Sequence, residues 1–281
     1  MFDKTDIKEA VRDRYAGHAA DATSCCSTSG TRAAAASCCG PSGASVSGEL
    51  GYDADDLADV PEGADLGLGC GNPLAMLELK EGETVVDLGS GGGIDCFLAA
   101  KRVGATGRVI GVDMTPEMIA RARRNAAGSG IGNVEFRLGE IEHLPVEDGT
   151  VDAIISNCVV NLVPNKRQVF ADAFRVLKPG GRMSLSDIVL LGEVPLQIRD
   201  SVEAYVSCLS GAILRDEYLK LIEEAGFTDV AVAESRSFTV GDVVAEDLVQ
   251  EFVRQTGATV DELRAAAALF QSVRVSAKKP A

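Results

Sequence analysis

The chain has 281 residues, 46% of them hydrophobic, and a formal net charge of −15 at pH 7. Nucleic-acid phosphates and anionic lipid surfaces attract basic proteins, so this charge argues against binding to either. No apolar run approaches the roughly 20 residues that cross a bilayer, and residues 1–6 lack the basic segment that begins a signal peptide. We therefore expect a cytoplasmic protein with one large domain and a smaller extension.

The N-terminal part predicts one helix followed by a flexible segment. Residues 3–20 carry apolar side chains at intervals of four, which gives a helix one apolar stripe. Residues 21–48 consist mainly of Ala, Ser, Gly, Thr and Cys, with almost no large apolar side chain to join a core. This segment carries two adjacent cysteine pairs, Cys25, Cys26, Cys38 and Cys39.

Strands and helices alternate through the rest of the chain. Strands are predicted at 84–88, 108–112, 133–138, 151–156, 182–188, 228–234 and 272–277. Helices are predicted at 93–103, 116–128, 165–177 and 212–226, with a further helical stretch at 242–269. Such alternation is typical of an α/β fold, in which helices cover both faces of a parallel sheet.

A glycine-rich loop between the first strand and the next helix is the most informative local pattern. Asp87 is followed by glycines at alternate positions, Gly89, Gly91 and Gly93. Glycine lets the backbone touch a ligand, and a helix N-terminus offers free N–H groups. The dinucleotide pattern GxGxxG would need glycine where the chain has Ile94. Asp113 ends the second strand at about the 20-residue spacing of a carboxylate that binds ribose, so we expect a nucleoside cofactor.

The Asp-x-Gly-x-Gly-x-Gly pattern resembles motif I of the S-adenosylmethionine-dependent methyltransferases. The resemblance implies a Rossmann-like sheet of seven strands, with the last strand inserted antiparallel, and S-adenosylmethionine as the cofactor. It implies that the glycine loop approaches the methionine half of the cofactor and that Asp87 orients the ammonium group. Asp113 is then the acceptor for both ribose hydroxyls.

The same resemblance assigns the other end of the cofactor and the methyl group. Met114 is expected to lie against the adenine, and Glu140 and Ile141 to lie near the adenine amine. Asn157 ends the fourth strand, where the transferable methyl group is expected. An ordinary core position remains the alternative for Met114 and Ile141.

The cysteines indicate the acceptor. In a reducing compartment, eight cysteines are more typical of ligands or redox groups than of structural disulfides. Three of them fall near the expected acceptor region, Cys70, Cys158 and Cys208, and none belongs to a C-x-x-C pair. The two histidines, His18 and His143, offer a poor general base, because the first adjoins the flexible segment and the second lies in a predicted surface loop. Thiols that meet only in three dimensions suit a soft, thiol-seeking acceptor.

The sequence around these cysteines resembles the arsenite methyltransferases, particularly the bacterial and archaeal ones. The specific matches surround Cys70 in LGLGCGNP and Cys158 in SNCVVNL. Two further matches are GVDMTPEM at 111–118 and GEIEHLP at 139–145. The resemblance covers residues 50–230 and continues more weakly to the C-terminus.

This resemblance implies methyl transfer from S-adenosylmethionine to trivalent arsenic, with arsenite or its thiol conjugates as substrate. Cys158 and Cys208 are the implied arsenic ligands, with Cys70 as a third thiol that binds arsenic or relays electrons. An N-terminal cysteine is the fourth member, Cys39 being narrowly favoured over Cys38. Arsenic held by thiolates keeps a lone pair that attacks the methyl group without a base. Because methyl transfer oxidises arsenic, thiols that form a disulfide must restore it, with thioredoxin or glutathione as reductant.

Two other functions remain open. A methyltransferase for a small organic acceptor, of the quinone or sterol type, shares motif I but leaves the three cysteines unexplained. A non-catalytic, thiol-rich metalloid-binding protein shares the frame but has no need of Asp87 and Asp113. Cys96 is predicted to be a buried small hydrophobe. We expect a monomer divided into an N-terminal segment, a cofactor domain with the arsenic site and a C-terminal α+β extension, at 1–49, 50–235 and 236–281.

Overall fold

The computed structural model describes residues 4–21, 46–194, 211–237, 257 and 259–281. Their strands form one seven-stranded sheet in the order β3-β2-β1-β4-β5-β7-β6. Strands β1 to β5 pair in parallel, whereas β7 lies antiparallel between β5 and β6. The bounds are β1 Thr84–Leu88, β2 Arg108–Asp113, β3 Val134–Leu138, β4 Val151–Asn157, β5 Leu177–Leu190, β6 Thr228–Ser237 and β7 Phe270–Lys278. The predicted α/β fold, with an antiparallel last strand, is confirmed.

The helices agree with the predicted ones to within a few residues wherever both are described. They are α1 Lys4–Asp21, α2 Val46–Glu49, α3 Ala54–Ala58, α4 Ile94–Val103, α5 Pro116–Ser129, α6 Lys166–Val176, α7 Arg215–Glu224 and α8 Val260–Ala267. Two short 3₁₀ helices span Pro73–Met76 and Val160–Leu162. Of the helical stretch predicted at 242–269, α8 is described, and most of the remainder lies outside the described residues. The proposed three-part division of the chain stays a prediction.

Two elements differ from expectation. Helix α2 begins inside the segment predicted to be flexible, because the buried Ser47 hydroxyl donates to Asp65 at 2.7 Å and holds this turn to the domain. Strand β5 begins at Leu177, earlier than predicted, because Leu177 pairs with Val151 before an irregularity that precedes the pairing of Ala153 with Arg182.

Buried hydrophobic clusters lie on both faces of the sheet. Val85 packs in the cluster that contains Phe97 of α4, whereas its neighbour Val86 packs in the cluster that contains Phe170 of α6. Successive strand residues point to opposite faces, so a strand that is covered on both sides is apolar along its length. No helix in the described part of the chain is long and apolar enough to cross a membrane.

The register of the sheet brings the carboxyl ends of β1, β2 and β4 to one edge, beside Ser186 within β5. Leu88 of β1 lies between Val112 of β2 and Ser156 of β4, and Asn157 of β4 lies beside Ser186 of β5. Ligands of open α/β sheets bind at the carboxyl ends of parallel strands. The residues that follow β1, β2 and β4 therefore form the wall of a site.

A candidate active site at the carboxyl edge of the sheet

A cleft that encloses about 990 Å³, part of it open to solvent, lies at this edge. Its walls are the glycine loop after β1, the residues after β2, the loop at 64–69, the end of β4 and one face of α1. Seven of the predicted cofactor residues line it: Asp87, Gly89, Gly91, Asp113, Met114, Ile141 and Asn157. The structure thus brings together most of the site that the sequence predicts.

Two of the three loop glycines serve different purposes. Gly89 has a φ of +72°, and a Cβ there would lie 2.3 Å from Cγ2 of Val159 across the cleft. Gly93 has a φ of +100°, and a Cβ there would lie 2.8 Å from the rings of both Phe97 and Phe136. Gly93 is therefore required for packing α4 against β3, and it does not line the cleft as predicted.

Asp113 connects the end of β2 to the glycine loop. Its Oδ2 accepts the backbone N–H of Gly91 at 3.0 Å, and its Oδ1 accepts that of Thr115 at 2.8 Å. Burial raises the pKa of Asp113, although these two N–H donors act in the opposite direction. Each carboxylate oxygen keeps further acceptor capacity toward the cleft, as a ribose-binding group requires.

The cleft is strongly acidic. Among the described residues that line it there is no lysine, arginine or histidine, whereas five carry carboxyl groups: Asp65, Asp87, Asp95, Asp113 and Glu142. Burial, with the nearby charge of Asp95, raises the pKa of Asp87 well above its usual value. Burial likewise raises the pKa of Asp95 to about 6. A site built from buried carboxyl groups favours a cationic ligand.

Sequence reasoning missed several residues of the cleft. Asp95, in the first turn of α4, accepts a hydrogen bond from the Tyr52 hydroxyl at 2.8 Å. Ser90 lines the cleft, and its buried hydroxyl has no hydrogen-bond partner among the described residues, so a polar ligand group fits there. Only Asp95 had a visible signal, since it is an acid two residues after Gly93.

Helix α1 forms a wall that the sequence did not assign to the site. Val11 and Tyr15 line the cleft. Nζ of Lys8 lies 2.7 Å from Oε2 of Glu140 and 3.0 Å from Oε1 of Glu142. Glu140 is not among the residues that line the cleft, and its carboxylate, like that of the cleft residue Glu142, is paired with Lys8.

Ile141 and Met114 line the cleft, and the structure gives Ile141 a second role. Ile141 is also a member of a buried core cluster, so it is both a cleft residue and a core residue, and its contact with the adenine stays a prediction. Met114 lies in the cleft wall directly after Asp113.

Cys70 and Cys158 meet at the carbonyl oxygen of Ser186. Sγ of Cys70 lies 3.6 Å from that oxygen, which also accepts the backbone N–H of Cys158 at 2.7 Å. Cys158 lines the cleft and has a φ of +60°, an uncommon conformation outside glycine. Cys208 and Cys39, the other predicted members of the thiol set, lie outside the described residues.

Asn157 holds the loop that carries Cys70. Its Oδ1 accepts the backbone N–H of Cys70 at 3.0 Å, and its Nδ2 donates to the Gly71 carbonyl at 2.7 Å. A Cβ at Gly69 would lie 2.7 Å from Nδ2 of Asn157, and one at Gly71 would lie 2.2 Å from the Ser186 hydroxyl. The glycines of this loop therefore allow it to contact Asn157 at the end of β4 and Ser186 within β5.

No three or more His, Cys, Asp or Glu side chains are grouped as a metal site within the described ranges. Cys96 is buried beside the cleft, as predicted, and its thiol also donates to Oδ2 of Asp87 at 3.3 Å. Burial, together with Asp87, raises the pKa of Cys96, so this thiol stays a neutral donor. Its hydrogen bond orients the carboxyl group that the sequence assigns to the cofactor.

Comparison with known proteins gives a consistent family. A family model described as a methyltransferase domain matches residues 79–226. The chain is 51% identical over 233 residues to an arsenite methyltransferase of Halobacterium salinarum, covering 82% of this chain and 60% of that protein. It is 41% identical over 188 residues to one of Aquipseudomonas alcaligenes, covering 64% of this chain and 54% of that protein. The chain thus spans little more than half the length of these curated relatives.

A solved structure supports the same relationship. An arsenic(III) S-adenosylmethionine methyltransferase from Chlamydomonas reinhardtii superposes with a TM-score of 0.61 at 30% identity. That match covers 84% of this chain and 73% of the other.

Proposed function

Since the chain belongs to the methyltransferase family, and to the arsenite methyltransferases within it, we propose that it transfers methyl groups from S-adenosylmethionine to trivalent arsenic held by cysteine thiolates. The observation that carries this proposal is that Cys70 and Cys158 contact one backbone atom, the Ser186 carbonyl oxygen, the first through its sulfur and the second through its N–H. Cys158 also lines the acidic, glycine-walled cleft.

The residues of the cleft fit S-adenosylmethionine. When bound, this cofactor supplies an electrophilic methyl group on a sulfonium cation. The cation suits a wall of carboxyl groups, and the Ser90 hydroxyl, which has no partner among the described residues, suits a polar group of the ligand. Asp113 is the residue for the ribose hydroxyls, and Asp87, oriented by Cys96, is the residue for the ammonium group.

The thiols bind the acceptor. Each thiol that replaces a hydroxide of arsenite forms one S–As bond and releases one water, so the protons balance. We assign Cys158 and Cys208 as ligands and Cys70 as the third thiol, with Cys39 as the N-terminal member. Arsenic bound in this way keeps its lone pair, which is the nucleophile, and the site needs orientation rather than a base. This agrees with a cleft wall in which the described residues include no histidine.

The reaction also requires electrons. Methyl transfer raises arsenic from the trivalent to the pentavalent state, and two thiolates that join as a disulfide return the two electrons. An external dithiol or glutathione then reduces that disulfide, and we propose thioredoxin or glutathione for this step. Because thioredoxin and glutathione act in a reducing compartment, we place the protein in the cytoplasm. We also propose that it is a monomer without a nucleic-acid or membrane partner.

The organic-acceptor and metalloid-storage alternatives make different predictions about binding. Calorimetry with S-adenosylmethionine, and equilibrium dialysis with arsenite followed by elemental detection, measure the two ligands separately. We expect the purified protein to bind both, and Cys158→Ser to lose arsenite while retaining the cofactor. Cofactor binding without arsenite binding would favour an organic acceptor, and arsenite binding without cofactor binding would favour storage.

A further inference from the structure

We propose that Asp95, Tyr52 and Asn157 form one positioning unit that links recognition of the cationic donor to placement of the Cys70 thiol, so that donor and arsenite bind cooperatively. This inference rests on the proposed function, and it concerns how the two halves of the site communicate.

Asp95 is a buried carboxyl group without a full counter-charge. It lines the cleft and is 3% exposed. The positive charge that reaches it belongs to Arg102, which is itself 3.0 Å from Asp56 and also donates to the Leu74 carbonyl. The charges of Asp65 and Asp87 oppose its ionisation further. A cationic ligand in the cleft therefore stabilises the ionised form of Asp95.

The Tyr52 hydroxyl is hydrogen-bonded to both Asp95 and Asn157. It donates to Oδ1 of Asp95 at 2.8 Å and accepts from Nδ2 of Asn157 at 2.9 Å. Nδ2 of Asn157 also lies 3.4 Å from Oδ2 of Asp95, so the amide contacts the carboxyl group directly as well. A hydroxyl has one proton, so donation to a carboxylate leaves its oxygen free to accept from the amide. Burial raises the pKa of Tyr52 far above its usual value, so this hydroxyl keeps its proton.

Asn157 connects Tyr52 and Asp95 to the loop that carries Cys70, called the thiol loop below. The same amide group that donates to Tyr52 also donates to the Gly71 carbonyl at 2.7 Å, while its oxygen accepts from the Cys70 N–H at 3.0 Å. The loop contacts this amide so closely that Gly69 has no room for a side chain. The orientation of Asn157 therefore sets the position of the Cys70 backbone.

These contacts make the two ligands thermodynamically linked. When Asp95 is ionised, Asn157 donates to the Tyr52 hydroxyl and this hydroxyl donates to Asp95. Asn157 is then held in the orientation that keeps Cys70 beside Ser186. When Asp95 is neutral, its oxygens are weaker acceptors, so the hydrogen bonds from Tyr52 and Asn157 weaken together. A ligand that favours the ionised form therefore favours the arrangement that binds arsenite, and by linkage arsenite favours that ligand equally.

The test measures arsenite affinity in the presence of two donor analogues that transfer no methyl group. Sinefungin carries an ammonium in place of the sulfonium methyl, whereas S-adenosylhomocysteine is neutral at that atom. In the wild-type protein at pH 5, where Asp95 with a pKa of about 6 is mostly neutral until a cation binds, we expect saturating sinefungin to raise arsenite affinity by about five-fold. At pH 7.5, where Asp95 is already ionised, we expect a factor near one. We expect S-adenosylhomocysteine to raise arsenite affinity at pH 5 by less than about two-fold.

Asp95→Asn removes the charge to which both Tyr52 and Asn157 donate, whereas Tyr52→Phe removes one of the two contacts that join Asp95 to Asn157. We expect Asp95→Asn to bind each ligand at saturating concentration, with the sinefungin effect on arsenite at pH 5 reduced to a factor near one. We expect Tyr52→Phe to reduce that effect in part. The thermal midpoint of each variant verifies its fold. Equal effects of the two analogues at pH 5, no effect in the wild type at that pH, or an undiminished effect in Asp95→Asn would each contradict the inference. Failure of the wild type to bind one of the ligands at all would instead contradict the proposed function.

Discussion

Cys70 and Cys158 are held by one backbone atom, the carbonyl oxygen of Ser186. The sulfur of Cys70 lies 3.6 Å from this oxygen, and the N–H of Cys158 donates to it at 2.7 Å. Cys158 accepts a φ of +60° to make this contact. For a non-glycine residue this conformation costs about 1–3 kcal/mol and persists only where surrounding contacts enforce it. The relationship places two distant cysteines at one border of the cleft.

Gly71, which precedes the 3₁₀ helix Pro73–Met76, gives a first prediction. Gly71→Ala introduces a Cβ 2.2 Å from the Ser186 hydroxyl, which forces the thiol loop away from β5. We expect unfolding in denaturant to show a loss of about 1–3 kcal/mol, and dialysis to show arsenite affinity reduced by about ten-fold or more. Gly128→Ala is the matched control, because no atom lies within 4 Å of a Cβ there and alanine stabilises a helix. Wild-type arsenite affinity in Gly71→Ala would contradict the placement of Cys70.

A second prediction concerns the two ligands separately. Asp113→Ala removes the acceptor for the Gly91 and Thr115 N–H groups together with the expected ribose contact. Hydrogen bonds to a charged group contribute about 1.5–3 kcal/mol each, so calorimetry should show S-adenosylmethionine affinity lowered by about 10- to 100-fold. Arsenite affinity measured without donor should stay within about two-fold of wild type. An equal loss of both affinities would argue against two separate sites.

A third prediction is a dependence of donor affinity on pH. Burial raises the pKa of Asp95 to about 6, with Asp65 acting in the same direction and the Tyr52 hydroxyl and Arg102 in the other. As pH falls through 6, the native state binds a proton here that the unfolded state does not bind, so protonation relieves the destabilisation that this buried carboxylate imposes at neutral pH. The neutral carboxyl attracts the cationic donor less, and calorimetry should show S-adenosylmethionine affinity falling between pH 7.5 and 5.5.

The control for this pH dependence is Asp95→Asn. Asp87, whose pKa burial also raises, lines the same cleft and contributes its own dependence. We therefore expect the substitution to weaken donor binding at pH 7.5 and to flatten the curve without abolishing it. A variant whose pH profile superposes on that of the wild type would show that Asp95 does not interact with the donor.

A fourth prediction tests the role of α1. Lys8→Gln removes the ion pairs to Glu140 and Glu142 that hold this helix against the cleft. We expect S-adenosylmethionine affinity to fall by about five-fold, equivalent to about 1 kcal/mol. Lys101→Gln is the control, since Lys101 pairs with Asp59 on the exposed surface and surface pairs contribute only about 0–1 kcal/mol. Unchanged affinity in Lys8→Gln would mean that the ion pairs leave the cleft unaffected.

Local patterns in the sequence predicted those features that depend on neighbouring residues. The bounds of β1, the turn at Gly89 and the acid at the end of β2 follow from periodicity, glycine spacing and strand ends. The contact of Lys8 with Glu140 joins residues far apart in the chain, and no local pattern reveals it. The assignment of Glu140 to the adenine amine stays a prediction, and the structure adds its ion pair with α1.

Glycines illustrate a second limit of the sequence. Gly89 and Gly93 look equivalent in the motif, yet the first gives room beside Val159 and the second gives room for Phe97 and Phe136. Which neighbour a glycine admits depends on tertiary packing, so spacing alone cannot separate the two purposes. The roles of Cys208 and Cys39 stay predictions, since both lie outside the described residues.

The most direct test incubates purified protein with S-adenosylmethionine, arsenite and a thiol reductant, and separates the arsenic species by chromatography with elemental detection. We predict methylated arsenic from the wild type and none from Cys158→Ser. Cys96→Ala, which removes a buried thiol that faces Asp87 rather than Ser186, should still form methylated arsenic, with weaker donor binding. Absence of methylated arsenic from a wild-type protein that binds the donor, or undiminished methylation by Cys158→Ser, would contradict the assignment of the thiols to arsenic.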